Sequence, residues 1–194
     1  MHPSEESLRG FGSEPRRAIR GSKRLMFSWI TPQLALGGRL EHEAAMLARH
    51  YRITAVIDLR DETCDDAVVL GTHGIELLHL PTRDRRGVAL DMLADGVAFA
   101  RRHLGDARRV MIHCEHGIGR SAVLALCVLV EGGLAPIDAL VLAKHRRDVV
   151  SPSPEQYESW AAWLRTTGRR PPAFGDFAQI AYRHPRPQLR AAER

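Results

Sequence analysis

The spacing of apolar and polar positions changes several times along this chain. Residues 1–24 mix Ser, Gly, Glu, Pro and Arg with few large apolar groups, a composition that predicts a poorly ordered tail. From Leu25 the texture changes. Met26–Ile30 and Leu34–Leu36 read as two short strands around a Thr31-Pro32 turn, closed by Gly37-Gly38. Glu41–His50 carries Ala44, Ala45, Leu47 and Ala48 at helical spacing. Ile53–Leu59 is a β-branched strand, Asp65–His73 a short helix stopped by Gly74, and Ile75–Leu80 a strand ended by Pro81. After the charged loop 81–87, Val88–Leu104 puts Leu90, Leu93, Val97, Ala100 and Leu104 on one helical face. Arg109–His113 is a short buried strand, and Ser121–Glu131 an apolar helix ended by Gly132-Gly133. A helix from Pro136 to about Val149 and another over Ser153–Arg165 follow, the second capped by Ser153 with Pro154 in its first turn. From Gly168 the chain is rich in Pro and Arg and reads as a second tail. Strands separated by helices predict an α/β fold: a central, mainly parallel sheet flanked by helices.

Composition adds limits. The 194 residues suffice for one domain with its own core, here expected over 25–167 between the tails. No apolar run approaches the ~20 residues that span a bilayer. Three cysteines, Cys64, Cys114 and Cys127, make no closed disulfide framework, and no signal peptide opens the chain. Both features point to a reducing cytoplasm. The net charge of +5 belongs to the ends: residues 1–24 hold six basic and three acidic groups, and residues 165–194 hold seven and two. The part between is net acidic, which argues against nucleic acid as a partner of the folded domain.

The chemistry concentrates in Val110-Met111-Ile112-His113-Cys114-Glu115-His116-Gly117-Ile118-Gly119-Arg120-Ser121. A buried strand runs into a short loop and straight into a buried helix. Backbone N–H groups of such a loop converge on one point, and the helix N-terminus adds positive potential. Gly117 and Gly119 permit the dihedrals and close approach a cradle needs. That field favours the thiolate of Cys114. Arg120 can grip two phosphate oxygens in a planar fork. A zinc site on His113, Cys114 and His116 would be crowded, and Gly117-x-Gly119 lacks the third glycine of a dinucleotide fingerprint.

His113-Cys114-x5-Arg120-Ser121 resembles the signature of the cysteine-dependent protein tyrosine phosphatase superfamily. Trp29–Gly37 is similar to the opening of its dual-specificity class, and Ile53–Leu59 to the next strand. The resemblance implies a metal-independent phosphomonoester hydrolase without cofactor, acting on phosphotyrosine and phosphoserine/threonine of a phosphorylated protein or on a small phosphomonoester. Cys114 would be the nucleophile and become phosphocysteine. Arg120 and the amides of Glu115, His116, Gly117, Ile118 and Gly119 would hold the transferred group. His113 would set the loop and the thiolate. Ser121 would donate to the departing sulfur, or cap the helix that starts there. Asp84, in the Pro81–Gly87 loop, resembles the general acid, with Asp91 and Asp95 as alternatives, while Arg83, Arg85 and Arg86 would ring the mouth. Cys64 is a candidate to cap an oxidised Cys114. Gln156 lies where some relatives orient water, but its helix can equally turn it to solvent, so it is left outside the site. The same loop also fits rhodanese-like and cell-cycle phosphatase domains, a non-catalytic phosphate-binding module, or a phosphatase of phosphoinositides or RNA 5′-phosphates. The loop has no lysine, which argues against multiply phosphorylated inositides.

Overall fold

A computed structural model describes residues 27–40, 44–104 and 108–183. The expected tail 1–24, Met26 of the first strand, residues 41–43 of the first helix and residues 184–194 of the second tail lie outside that range. Five strands form one sheet: β1 (Phe27–Trp29), β2 (Leu34–Gly37), β3 (Ile53–Arg60), β4 (Glu76–Thr82) and β5 (Arg109–His113), in the order β1-β2-β5-β3-β4. Only β1 and β2 pair antiparallel; the other three ladders are parallel. The mainly parallel sheet expected from the alternation of strands and helices is the one observed.

Strand alternation divides the core between two faces. Leu34, Leu36, Val110 and Ile112 look toward one cluster, which α3 (Leu90–His103), α4 (Arg120–Glu131), α5 (Pro136–Arg146) and α6 (Pro154–Thr166) complete. Ala35, Val56 and Met111 look the other way, onto Leu47, Leu70 and Ile75. That second face is covered by one turn of helix, α1 (Ala44–Met46), the π-helical segment Leu47–Tyr51 that continues it, and the short α2 (Ala67–Thr72). α4 is the central helix. Every residue from Arg120 to Val130 is buried, which explains an apolar pattern with no polar stripe.

Several boundaries move. α4 starts at Arg120 rather than Ser121, with Gly119 as its N-cap and no side-chain cap. Ser121 is therefore not the cap that one reading gave it. α5 stops at Arg146, because Arg147 turns extended (φ −139°, ψ 95°). α6 begins as its sequence indicates. Ser153 accepts from the Gln156 N–H, the Gln156 side chain accepts from the Ser153 N–H, and Pro154 occupies the first turn.

The main correction concerns the stretch after Gly168. Residues 174–181 form α7 (Phe174–Ala181), and Phe177 and Ala181 are fully buried. Phe177 stacks among Tyr157, Trp160, Phe174 and Tyr182, with ring centroids 4.8–6.1 Å away. The Tyr157 hydroxyl donates to Pro172 O, the Tyr182 hydroxyl to Pro152 O, and the Lys144 ammonium to Ala181 O. The run Arg169-Arg170-Pro171-Pro172 masked a helix whose Phe174, Phe177 and Ala181 stand three and four apart. Phe177→Ala is therefore expected to cost about 3–5 kcal/mol, the usual loss for a buried phenylalanine. Urea unfolding followed by circular dichroism measures it; a loss below about 1 kcal/mol would show that α7 does not belong to the cooperative core.

Candidate active site

The carboxyl ends of parallel strands are where α/β sheets collect ligand-binding loops. Here the loop after β5 brings Cys114 to Gly119, the loop after β3 brings Glu62 and Asp65, and the loop after β4 brings Asp84. The loops after β4 and β5 meet at a cavity of about 390 Å³, whose walls include Asp84, Arg85, Cys114, His116, Ile118, Gly119 and Gln156, while the loop after β3 supports Arg120 and His113 from beside it.

The loop after β5 is held by its carbonyls. Glu115 O accepts from the Arg39 N–H at 3.1 Å, Ile118 O from the Ser151 N–H at 2.9 Å, and Gly119 O from the Val123 N–H at 3.0 Å. His116 O and Gly117 O accept from the Arg147 guanidinium, through Nη2 at 2.9 Å and Nε at 2.8 Å. All five carbonyls of residues 115–119 thus point outward. Among the described residues, no backbone N–H of residues 115–120 donates to a carbonyl. The N–H groups of Gly117 and of Ser121, the next residue on, are the backbone donors that stabilise the Cys114 thiolate. Such a ring of converging donors is built to receive an anion. Gly117 makes the turn possible: its φ is +67°, and a Cβ there would collide with the Gly37 backbone and Arg147. A Cβ at Gly119 would collide with the Gln156 amide.

Cys114 is 3% exposed, with Sγ 3.2 Å from Ser121 Oγ. Burial alone would raise its thiol. The Ser121 hydroxyl, the two backbone donors and the Arg120 charge outweigh burial, so the thiol lies below its ordinary value. The other cysteines differ: burial pushes Cys127 well above the ordinary thiol, and Cys64, exposed and unbridged, is raised by partial burial and by Asp58 and Asp65.

Arg120 is 1% exposed and almost fully engaged. Glu62 takes its Nη1–Nη2 edge at 2.7 and 2.9 Å, and Thr82 O takes Nη1 at 2.8 Å. The remaining edge is Nε with Nη2. Nε is buried without a partner, and Nη2 lies 3.4 Å from Asp84 Oδ1. That edge holds one unpartnered donor, Nε, and one loosely paired with Asp84, which together can offer a two-point grip once Asp84 yields. The Arg120 guanidinium holds the Glu62 carboxyl down to about 2. Glu62 thus keeps its charge through the neutral range.

The structure brings Cys114, Arg120, Ser121 and Asp84 together. Asp91 bonds the first turn of its own helix, and neither it nor Asp95 lines the cavity. His113 is fully buried and faces away from the cradle, with Nε2 2.8 Å from Asp65 Oδ2. Of the three arginines, Arg85 lines the cavity and Arg86 pairs with Glu155 at 3.0 Å. Sequence reasoning missed Glu62, Arg147 and the inward turn of Gln156, which is 2% exposed. The Ser153–Gln156 capping pattern could have signalled that turn, because it fixes the Gln156 rotamer toward the start of α6.

The model for the dual specificity phosphatase catalytic domain matches residues 34–166. The chain belongs to this family. It carries a phosphatase catalytic domain of the protein tyrosine phosphatase superfamily. Human dual specificity protein phosphatase 21 is 31% identical over 130 residues, 66% of this chain and 66% of that protein. Human phosphatidylglycerophosphatase and protein-tyrosine phosphatase 1 is 29% identical over 127 residues, 62% of this chain and 61% of that protein. The match thus spans slightly less than two thirds of these relatives. A crystal structure of PTPMT1 in complex with PI(5)P superposes with TM-score 0.69 at 23% identity, covering 74% of this chain and 97% of that one. Tk-PTP in its active form gives 0.67 at 23%, covering 74% and 99%. No helix among the described residues is long and apolar enough to cross a membrane.

The Ser121 contact yields a prediction with a definite sign. A thiol below its ordinary value is thiolate from a lower pH upward. Removing a donor to the sulfur raises it again. A hydrogen bond to a charged group contributes about 1.5–3 kcal/mol, so Ser121→Ala should move the Cys114 titration up by about one to two units. Ultraviolet thiolate absorbance, with Cys114→Ser as blank, reads this directly; an unmoved titration would remove Ser121 from the set of groups that stabilise the sulfur.

Proposed function

We propose that this chain hydrolyses phosphomonoesters without a metal, through a phosphocysteine intermediate, as a dual-specificity protein phosphatase. The observation that carries this reading is the buried Cys114 sulfur at the start of a loop whose carbonyls are all held by donors outside it, with the unpartnered Nε of Arg120 nearby. The substrate phosphoryl group sits in that loop, with two oxygens on Arg120. The Cys114 thiolate attacks phosphorus in line. The S–P bond forms as the bond to the leaving oxygen breaks, and protonated Asp84 gives that oxygen its proton. Water then attacks phosphocysteine while Asp84 takes its proton. The S–P bond breaks, inorganic phosphate leaves, and the Ser121 hydroxyl donates to the sulfur as its charge returns. Charge on the equatorial oxygens is met by Arg120 and by the amides of residues 115–120.

A second reading concerns the substrate. The relatives include a phosphatidylglycerophosphatase by name and a structure holding PI(5)P. Among the described residues no Phe, Tyr or Trp lines the cavity, whose walls hold Arg85, His116, Ser151, Ser153 and Gln156, with Ile118 the large apolar group. Polar walls of this kind suit a phosphorylated polyol headgroup as well as a phosphopeptide.

One experiment tests the chemistry and sorts the substrates. Phosphopeptides, phosphatidylglycerophosphate, inositides and RNA 5′-phosphates are assayed in EDTA, with Cys114→Ser as control. Turnover lost in Cys114→Ser and unaffected by EDTA is expected; activity in the serine variant, or its loss in EDTA, would end the covalent metal-free reading. Asp84→Asn should cut the rate by ~10²–10⁴ on alkyl or phenyl phosphates, the usual worth of general acid catalysis. It should cost far less with a highly fluorinated phenyl phosphate, whose oxygen leaves without a proton. Equal losses on both would make Asp84 a structural residue.

A further inference from the structure

The segment following Ile57 on β3, Asp58-Leu59-Arg60-Asp61-Glu62-Thr63-Cys64-Asp65, reaches the nucleophile loop at three points. Glu62 grips Arg120, Arg60 Nη1 lies 3.8 Å from Glu115 Oε2, and Asp65 holds His113. The last contact is the most buried. Asp58 and His113 are fully buried and face each other in the β3–β5 ladder, and Arg60 is 4% exposed. Arg60 grips Asp58 with two bonds, Nε to Oδ1 at 2.9 Å and Nη2 to Oδ2 at 2.8 Å, and reaches Asp65 Oδ1 with the same Nη2. The Asp65 N–H donates to Asp58 Oδ2 at 3.1 Å. The carboxylate of Asp65 is therefore fixed from two sides before it meets His113. Asp58, Asp65 and His113 cluster closely enough to ligate a cation, but the Arg60 guanidinium already fills that place.

We infer that Asp65 is a positioning residue for the nucleophile: by accepting a hydrogen bond from His113 Nε2, it fixes the ring next to Cys114 and with it the path of the loop. An ionised carboxylate only accepts, so Nε2 carries the proton. His113 adjoins Cys114 in sequence, so any swing of the ring displaces the chain where the sulfur meets its donors. Arg60 and Asp58 hold Asp65 in place. This assignment rests on the proposed role of Cys114 and extends it to a residue that touches neither substrate nor sulfur.

The sign of the thiol shift separates positioning from plain electrostatics. The charged groups around Cys114 are Arg120 on α4, Arg147 after α5, and Glu62 and Asp84 acting through Arg120. Those around His113 are Asp58 and Arg60 on β3 and Asp65 after it. Removing the negative charge of Asp65 through space lowers the Cys114 thiol. Releasing His113 loosens the ring of donors and raises it. Asp65→Asn is expected to raise it by about half a unit or more.

The test is the pH dependence of Cys114 alkylation by iodoacetate, followed by peptide mass spectrometry so that Cys64 does not interfere. Asp66→Asn is the control. Asp66 caps α2 through bonds to the Val68 and Val69 N–H groups, so its variant removes a nearby charge without touching His113 and should give no rise. In a His113→Asn background, Asp65→Asn should shift the thiol by less than about a third of its effect in the wild type. A fall or no change in Asp65→Asn, an equal rise in Asp66→Asn, or a full effect without His113 would each overturn the inference. Nitrogen NMR of the unsubstituted protein is independent of any variant's folding. It should show the His113 proton on Nε2, and a ring protonated on Nδ1 alone would also overturn it. A wild-type Cys114 with an ordinary thiol would instead count against the phosphatase mechanism itself.

Discussion

Everything at this site depends on the direction of five peptide groups. A loop offers N–H donors to an anion only if its carbonyls are satisfied elsewhere, because a buried carbonyl without a partner costs as much as a lost hydrogen bond. In residues 115–119 every carbonyl has a named donor, and each donor belongs to a different part of the fold from the loop itself. Arg39 follows β2, Val123 lies in α4, Arg147 ends α5, and Ser151 leads into α6. The cradle is thus a consequence of how the surrounding elements terminate, as much as of the loop's own residues.

This dependence explains irregularities elsewhere. α5 breaks off at Arg146 so that Arg147, half-buried and extended, can lay its guanidinium over two loop carbonyls. Burial lowers that guanidinium, while the Cys114 charge opposes the fall. The side chain therefore serves the sulfur electrostatically as well as the carbonyls. The 151–153 connection is pinned in turn: Pro152 O accepts from Tyr182 just after α7, and the Ser153 hydroxyl donates to Arg85 O beside Asp84. α7, remote from Cys114 in sequence, reaches the cradle through these few contacts.

What the sequence revealed follows the same division. The Cys114–Ser121 segment was legible because its chemistry is local: strand, two glycines, cysteine and arginine fall within twelve residues. The parallel sheet was legible because β-branched runs alternate with helical spacing. Glu62, Asp65 and Arg147 were not, because a charged residue on a loop looks the same whether it meets solvent or a partner 30 to 58 positions away. Ser121 shows the limit of local rules. A serine at the start of a helix reads as a cap, yet α4 begins one residue earlier with Gly119 as cap, and the hydroxyl is left for the sulfur. α7 stayed hidden for another reason. Its apolar spacing is short and lies between prolines and arginines, so its composition outweighed its period.

Arg120 shows why the partners matter as much as the motif. A guanidinium presents three hydrogen-bonding edges in one plane. Glu62 occupies one end-on, and Thr82 O occupies the outer hydrogen of Nη1. With those fixed, the plane of the group is set before any ligand arrives, and Nε is left as the buried donor without a partner. Asp84 stands 3.4 Å from Nη2, and its side chain is 64% exposed. Asp61, 3.9 Å from Nη1, is also loosely held, so these two carboxylates can yield to an entering anion, whereas Glu62, bound at two points, cannot leave without freeing a buried cation. Glu62 and Asp84 differ by that geometry: Glu62 fixes the plane of the arginine, while Asp84, exposed and held at 3.4 Å, stays free to move as the proposed general acid must.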